Sequence, residues 1–440
     1  MAKTLYITSL GCEKNRIDTE NIMHTLSNAG YIFVSDPKNA DYLVINTCAF
    51  IEAAKKESIN AILDLSDNKA NTNKKLIVLG CLAERYGKEL SESMPEVDVF
   101  VGVNSYHDIV NIIEREESRV VINPQFVPYE KGRLATTLQS YAYIKIAEGC
   151  DNHCTYCAIP SIRGRYRSER MEYLVQEAER LKDMGINELI IVAQDITRYG
   201  IDLYGTYKLK ELIKSFIELK FSKIRLMYAY PELIDDELIE MIATTPQIAK
   251  YIDVPLQHIS DRILKLMNRK TSEMASRALI EKIKNASSKI VIRSTFIVGF
   301  PGEEEKDFQL LLNFIKSGMI DYAGFFEYSK EEGTRAATMP GMLPKTIRHK
   351  RAIQLSKEQS QVIVSKHREY LNQTIIVMYE GIDYKKGLFF GRNDYNAPDI
   401  DTLVYFTSDI PLDIGEFYFV KITKTDFHLY GNVLGIIGVY

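Results

Sequence analysis

Little in this 440-residue chain directs it to a membrane or out of the cell. No window approaches the ~20 apolar residues of a membrane span, and the opening MAKTLYITSLGC enters a strand-like run directly, without the basic-then-apolar layout of a signal peptide. A strong charge of either sign is also missing: 55 Lys plus Arg stand against 59 Asp plus Glu. No Ser/His/Asp set and no phosphate-binding loop suggests hydrolysis or phosphoryl transfer. Cysteine is sparse, six residues in all. A cytoplasmic chain keeps its thiols reduced, so none of the six is read as a disulfide partner. The length is enough for about three domains with ample core.

The six cysteines fall into two groups of three. Cys150, Cys154 and Cys157 share one short run, GCDNHCTYCAIP. Three thiolates at CxxxCxxC spacing can hold three irons of a 4Fe-4S cubane and leave the fourth open to another ligand. A structural zinc site would want a fourth protein ligand, for which only His153 lies close in sequence. Cys12, Cys48 and Cys81 are far apart, but each closes an apolar run that reads as a buried parallel strand: TLYITSLGC, DYLVINTC and KLIVLGC. Helical patterns follow the first two runs, from near Asn15 and Ile51, and a short strand, VDVFVGV, follows the third. Parallel neighbours lie about 4.8 Å apart, and open α/β sheets bind ligands beyond the carboxyl ends of their strands. Three thiols at equivalent strand ends should therefore converge on one edge. A single such cysteine reads equally well as a small buried hydrophobe.

From about Ser105 to Gln139 the pattern weakens: a helix-like stretch ends at Glu117, and a polar segment with Pro124, Pro128 and Gly132 then reads as a linker. A second alternation begins at Tyr141, with strand candidates YAYIKIA, ELIIVA, KIRLMYA, YIDVPL, IVIRSTFIV and YAGFFEYS. All but the last precede amphipathic helical patterns such as MEYLVQEAERLKDMG. Six βα units suggest an open parallel barrel, and the CxxxCxxC loop follows its first strand, at the end where such barrels carry active sites. A long helical pattern, roughly 346–371, leads into short alternating strands, TIIVMYEG, GLFFGRN, DTLVYF, FYFVKITK and GNVLGII, which indicate a small all-β barrel. The expected fold is thus α/β: an open parallel sheet over 1–118, a linker over 119–139, a partial (β/α)6 barrel with its helix over 140–370, and a β-barrel over 371–440.

The CxxxCxxC run resembles that of the radical S-adenosylmethionine enzymes. In order, the three parts are similar to the methylthiotransferase N-terminal domain, the radical core and a TRAM domain. The segments CAIPSIRGRYRSE, DVPLQHIS, RSTFIVGFPGE and APDIDTLVYF resemble the branch of that family that modifies an aspartate of small-subunit ribosomal protein twelve. The tRNA-modifying branch tends to carry His at Asp253 and Ser at His258 and is the alternative; a non-catalytic iron-sulfur carrier is the alternative from another class. The resemblance implies two 4Fe-4S clusters, one on Cys12, Cys48 and Cys81 and one on Cys150, Cys154 and Cys157. It also implies two molecules of S-adenosylmethionine, one giving the methyl group and one the radical that abstracts hydrogen from the aspartate β-carbon. No side-chain base removes that hydrogen at pH 7.

Among cofactor contacts, the resemblance puts Tyr156 near the adenine, although a tyrosine packed under the loop reads equally well. Gly299 and Gly302 in IVGFPGE allow a tight turn and close backbone approach, and the resemblance assigns this region to the adenosine part, with an ordinary strand-to-helix turn as the plainer reading. Gln194 and Asp195 are candidates for the ribose or amino group, and a capping role suits Asp195 as well. His258 is a candidate for orienting substrate or a hydrogen-bonded core histidine.

Residues 371–440 carry nine Asp plus Glu against five Lys plus Arg, and the remaining 370 residues balance at 50 of each. An RNA-binding appendage needs a basic face, whereas an acidic barrel suits a basic protein, with Asp399 and Asp401 expected at its rim. A merely solvated surface is the plainer reading. Arg163, Arg165, Arg167 and Arg170 pull toward ribosomal RNA, or toward nearby carboxylates or the cofactor's own. The expected partners are the basic ribosomal protein, free or within the ribosome, and an electron donor such as flavodoxin or ferredoxin, acting on a cytoplasmic monomer.

Overall fold

Residues 3–70, 72–115, 118–127, 132–137 and 140–437 are described by a computed structural model. Pro128 and Gln139 of the expected linker, and the last three residues of the expected terminal barrel, lie outside them. The chain forms two compact units. The first comprises 1–136, 148–167 and 329–337, and the second 137–147, 168–328 and 338–440.

In the first unit, β1 (Lys3–Ser9), α1 (Glu13–Asn28), β2 (Tyr31–Phe33), β3 (Tyr42–Thr47), α2 (Glu52–Lys69), β4 (Lys75–Gly80), α3 (Cys81–Ser93), β5 (Val99–Val101), α4 (Ile109–Arg115) and β6 (Val120–Val121) follow in order. The strands make a parallel sheet ordered β2-β1-β3-β4-β5-β6. Period-2 geometry splits the central strands' apolar side chains between two faces. Val44, Ile77 and Leu79 pack with Ile22 and Leu26 of α1 and with Ile109 and Ile113 of α4. Leu43, Ile45, Leu76 and Val78 pack with Ile62 and Leu65 of α2 and with Leu82 and Ala83 of α3. Each fully buried Leu, Ile or Val side chain contributes ~1.5–3 kcal/mol relative to exposure. Helix α3 was not expected: Gly87 interrupts CLAERYGKELSES and weakens its helical signal. The expected linker 119–139 opens with β6, which pairs with β5.

In the second unit, Tyr141–Lys145, Glu188–Val192, Lys223–Leu226, Ile248–Asp253, Val291–Val298 and Tyr322–Glu327 pair in that order, each parallel to the next. This is the open six-stranded barrel. Helix Lys345–His367 then leads to Thr374–Asp383, Leu388–Arg392, Val404–Thr407, Phe417–Thr425 and Leu429–Ile436, which form a closed barrel around Val377, Val404, Phe406, Val420 and Ile422. Closure leaves no unpaired strand edge.

Buried charges join the closed barrel to the open one. Arg225 Nε lies 2.6 Å from Glu188 Oε1, and Arg392 Nη2 lies 2.7 Å from Glu188 Oε2 and 2.6 Å from Glu380 Oε1. Burial works against the Glu188 carboxylate, but the two arginines together hold it below its ordinary range. Nearby, Asp401 accepts from the Tyr251 hydroxyl at 2.7 Å and the Ala397 N–H at 2.9 Å. This corrects the expectation for the rim. Asp399 is exposed with φ +65°, whereas the side chain of Asp401 is 1% exposed and is consumed by the junction. No helix among the described residues is long and apolar enough to cross a membrane.

Candidate metal and cofactor site

The three cysteines of the first group lie where parallel register puts them. Ser9 pairs with Asn46 and Thr47 with Gly80, so the residues that follow β1, β3 and β4 emerge together at one edge. Cys12 is the N-cap of α1, Cys48 follows β3 directly, and Cys81 is the first residue of α3. Two of the three thiols therefore sit at helix N-termini, where backbone N–H groups and the macrodipole favour a thiolate. Gly11 makes the room: at φ +89°, a Cβ there would lie 2.7 Å from Cys48 Cβ and 3.0 Å from its sulfur.

All six cysteines are free thiols; Cys48, Cys81, Cys150 and Cys154 are buried, Cys157 is half-buried and Cys12 is exposed. Burial, and after it the neighbouring Cys81 and Cys12, pushes the Cys48 thiol up to about 12. Burial also raises Cys81, against the pull of Arg163. Among the described residues no three His, Cys, Asp or Glu side chains are close enough to hold a single metal ion. A cubane asks for a different spacing, because each of its thiolates takes a separate iron and stands farther from the others than ligands of one ion do. A thiol-only donor set, with a cradle that a Cβ at Gly11 would fill, fits such a cluster.

A polar layer lies under this edge. Asn15 Nδ2 donates to Leu10 O at 3.0 Å and Thr47 O at 2.9 Å, and Asn46 Nδ2 donates to Asn15 O at 3.0 Å and Thr19 Oγ1 at 2.9 Å. Ser58 closes the Cys48 turn by accepting its N–H at 3.0 Å and donating to its carbonyl at 2.9 Å.

The second group belongs to the same compact unit. Gly149, at φ +77°, closes the loop: a Cβ there would lie 2.1 Å from Arg165 O. Cys150 N–H donates to Gly164 O at 3.2 Å, Cys157 N–H to Cys154 O at 3.1 Å, and Asn152 N–H to Cys150 Sγ at 3.5 Å. Tyr156 is half-buried and His153 is exposed at φ +51°. The loop ends in α5 (Ile159–Arg163), whose Ile162, with Ala158 before it, packs into the core against α3. Of the four arginines weighed for RNA or nearby carboxylates, Arg163 takes the carboxylates, and one further residue, Glu331, carried no such expectation. Arg163 is buried among N-terminal polar groups, while Arg165 and Arg170 are exposed and Arg167 lies 4.8 Å over the Phe126 ring. Glu331 is buried beneath Lys55 at 2.9 Å and Arg85 at 2.6 Å, and in the same segment Ala336 N–H donates to Thr155 O at 2.8 Å. The only local hint of Glu331 is an acidic pair before a glycine.

In the second unit Asp195 is fully buried and caps the turn Ile196–Arg198 by accepting the Thr197 N–H at 3.0 Å, while Gln194 is half-buried beside it. Gly299 and Gly302 both have positive φ, +71° and +85°. The first is packed by the Arg348 stem, and the second donates its N–H to Gly341 O at 2.9 Å. Glu303 organises this turn: it accepts the Gly299 N–H at 2.8 Å, pairs with Arg351, and lies 3.6 Å from His258 Nε2. His258 is fully buried and its Nδ1 accepts the Ser260 N–H at 3.0 Å, so it braces the turn from the interior. Asp253 is likewise buried, 2.9 Å from Arg293 Nη1.

Three family models match the chain: the uncharacterized protein family UPF0004 over residues 4–102, the radical SAM superfamily over 144–315 and the TRAM domain over 373–434. The ribosomal protein uS12 methylthiotransferase RimO of Acetivibrio thermocellus is 42% identical over 448 residues, covering 99% of this chain and 99% of its own. That of Clostridium tetani is 44% identical over 441 residues, covering 98% and 99%. Among solved structures, the radical S-adenosylmethionine methyltransferase TsrM from Kitasatospora setae, with cobalamin and a 4Fe-4S cluster bound, is similar with a TM-score of 0.55 at 14% identity. That likeness covers 74% of this chain and 75% of TsrM and concerns the fold alone. With three matched parts in this order and end-to-end identity above two-fifths, the chain belongs to the RimO family of methylthiotransferases within the radical SAM superfamily.

Proposed function

We infer that this chain is a radical S-adenosylmethionine methylthiotransferase that places a methylthio group on the β-carbon of an aspartate of ribosomal protein uS12. The observation that carries the reading is the 42–44% identity to proteins of that name along essentially the whole chain, joined to three-plus-three cysteines within one compact unit. Cys150, Cys154 and Cys157 would hold one 4Fe-4S cluster, and Cys12, Cys48 and Cys81 the other. When bound, these clusters and S-adenosylmethionine supply the electron, the radical and the methyl group. The chain's own work is to bind and orient. The Asn152 N–H steadies the Cys150 sulfur, the other loop N–H bonds hold the backbone turn, and the glycine-opened edge would admit a cluster beside two helix N-termini. Within the second unit, the turn around Gly299 and Gly302, with Gln194 and Asp195, would take the adenosine end of the cofactor; Tyr156 of the cysteine loop is the candidate for the adenine.

The division at 1–118, 119–139, 140–370 and 371–440 gives each part a role: sulfur handling, connection, radical generation and substrate docking. The excess of acid over base in 371–440 supports docking of a basic protein. Asp399 belongs to that surface and Asp401 does not. A flavodoxin or ferredoxin would deliver electrons to a cytoplasmic monomer.

Anaerobic reconstitution should yield about eight irons per chain, four for each cubane. The loaded protein, with reductant and S-adenosylmethionine, should then produce deoxyadenosine and methylthiolated uS12 in one reaction, followed by mass spectrometry. Methylthiolation of tRNA adenosine in place of uS12 would move the chain to the other branch. Absence of deoxyadenosine would reduce it to an iron-sulfur carrier.

A further inference from the structure

We propose that Arg163 is a positioning residue that couples the two cysteine groups, donating to the Cys81 sulfur from the helix that closes the CxxxCxxC loop and setting how readily the N-terminal centre accepts an electron. The proposal rests on the reading of Cys12, Cys48 and Cys81 as cluster ligands and adds a residue to it.

The geometry is that of a fork used on all sides. Arg163 Nη2 lies 3.4 Å from Cys81 Sγ and also donates to Asn15 Oδ1. Its Nη1 lies 2.7 Å from Asp18 Oδ2 and 2.7 Å from Glu148 Oε2. Glu148 enters the cysteine loop two residues before Cys150, and Arg163 leaves it six residues after Cys157. One guanidinium therefore joins both arms of the radical loop to α1 and to a ligand of the other centre. Asn15 cannot turn away, because its Nδ2 is committed to Leu10 O and Thr47 O, which directs Oδ1 at the fork.

Charge says why the third contact matters. The side chain is only 3% exposed, and its two carboxylate partners already exceed its single positive charge. Two carboxylates would satisfy a purely structural arginine, yet this one spends an N–H on sulfur. An N–H donated to a cluster thiolate, from a cation that never titrates, stabilises the more negative, reduced state. Lysine, a compact point charge, cannot reach the sulfur, the amide and both carboxylates together.

The test uses the full chain with Cys150, Cys154 and Cys157 changed to Ala, so that only the N-terminal centre loads. Iron content, melting and the electron paramagnetic resonance signal are followed during an anaerobic dithionite titration with mediators. One electron passes from dithionite to the centre, and no bond to Arg163 forms or breaks. In this background Arg163→Met should lower the reduced-to-oxidised ratio at a fixed poise about tenfold, ~59 mV for a one-electron couple. Arg163→Lys should give a smaller shift in the same direction. An unchanged potential in a loaded Met variant would overturn the proposal. If the Met variant does not load, a Lys variant with the parent's potential overturns it, as does failure of both variants to load while their melting is normal. If the Arg163 parent itself takes up no iron, the cluster reading of the N-terminal cysteines fails first, and the proposal falls with it.

Discussion

Two buried arginine clusters in this protein use the same side chains for different ends. At the junction with the closed barrel, Arg225 and Arg392 meet Glu188 and Glu380, two charges against two, and tyrosine rings cover the guanidiniums: Tyr251 at 4.9 Å and Tyr141 at 5.0 Å. At the cysteine edge, Arg163 meets Asp18 and Glu148 at 2.7 Å each and lies 3.4 Å from the Cys81 sulfur. A neutral quartet is complete without any ligand, so it holds two sheets together. A guanidinium that donates to a sulfur as well as to carboxylates is tied to whatever that sulfur binds, which marks it as part of a working site.

The largest effects should separate the two cysteine groups. Cys154→Ala should take deoxyadenosine formation to background, since the cage that delivers the electron loses a ligand. Cys81→Ala should leave deoxyadenosine measurable while methylthiolated product disappears. Product retained by the second variant would remove the cysteine edge from the chemistry and erase the contrast with the quartet.

Next in size is the quartet itself. Arg392→Met leaves Glu188 and Glu380 buried with one arginine between them and should cost about 3–5 kcal/mol, read from urea unfolding of the second unit. Deoxyadenosine formed per folded molecule should not change. A loss below about 1 kcal/mol would mean that water or rearrangement replaces Arg392, and the junction would not be the closed structural device described above. Asp401→Lys should behave like Arg392→Met, because its carboxylate accepts from Tyr251 and Ala397 and has no path to solvent.

The pH response sharpens the comparison from the other side. The Cys48 and Cys81 thiols are raised in the folded, metal-free protein from an ordinary value of 9.0. The folded chain therefore holds protons that the unfolded chain has lost once pH exceeds 9. Their contribution to stability is fully present below pH 9 and drains away as pH rises, that of Cys48 toward about 12, by at most ~1.4 kcal/mol per thiol for each pH unit. Urea midpoints of metal-free protein at rising pH should show this decline, and Cys48→Ala should flatten it. Iron uptake must release the same protons, so loading should strengthen as pH rises. The smallest effect is expected from Asp399→Lys, about 1 kcal/mol or less on uS12 binding, expressed in association rate and fading with salt.

How much of this was legible beforehand follows the range of each interaction. The CxxxCxxC loop is local, and its eight residues present a candidate cluster site without any knowledge of the fold. The converging thiols at positions 12, 48 and 81 were legible because parallel strands repeat one local pattern, an apolar run ending in cysteine. The role of Asp401 was misread, because net charge over a segment does not say which carboxylates a neighbouring sheet will bury. Arg163 appeared as one of four arginines in a polar run, and nothing nearby distinguished it. Its partner Asp18 lies 145 positions away.

The sequence by itself determined the elements and the chemistry: period-2 apolar runs that must pair as strands, helices that must cover them, and two sets of thiols suited to iron. Tertiary structure alone decided which charges are buried, which of them balance, and that one guanidinium reaches both arms of the radical loop and a sulfur on the neighbouring sheet edge. The physical reason is that apolar burial is averaged over many side chains and survives as a pattern along the chain. A buried ion pair depends on a few atoms meeting within about 3 Å, and only the folded backbone brings those atoms together.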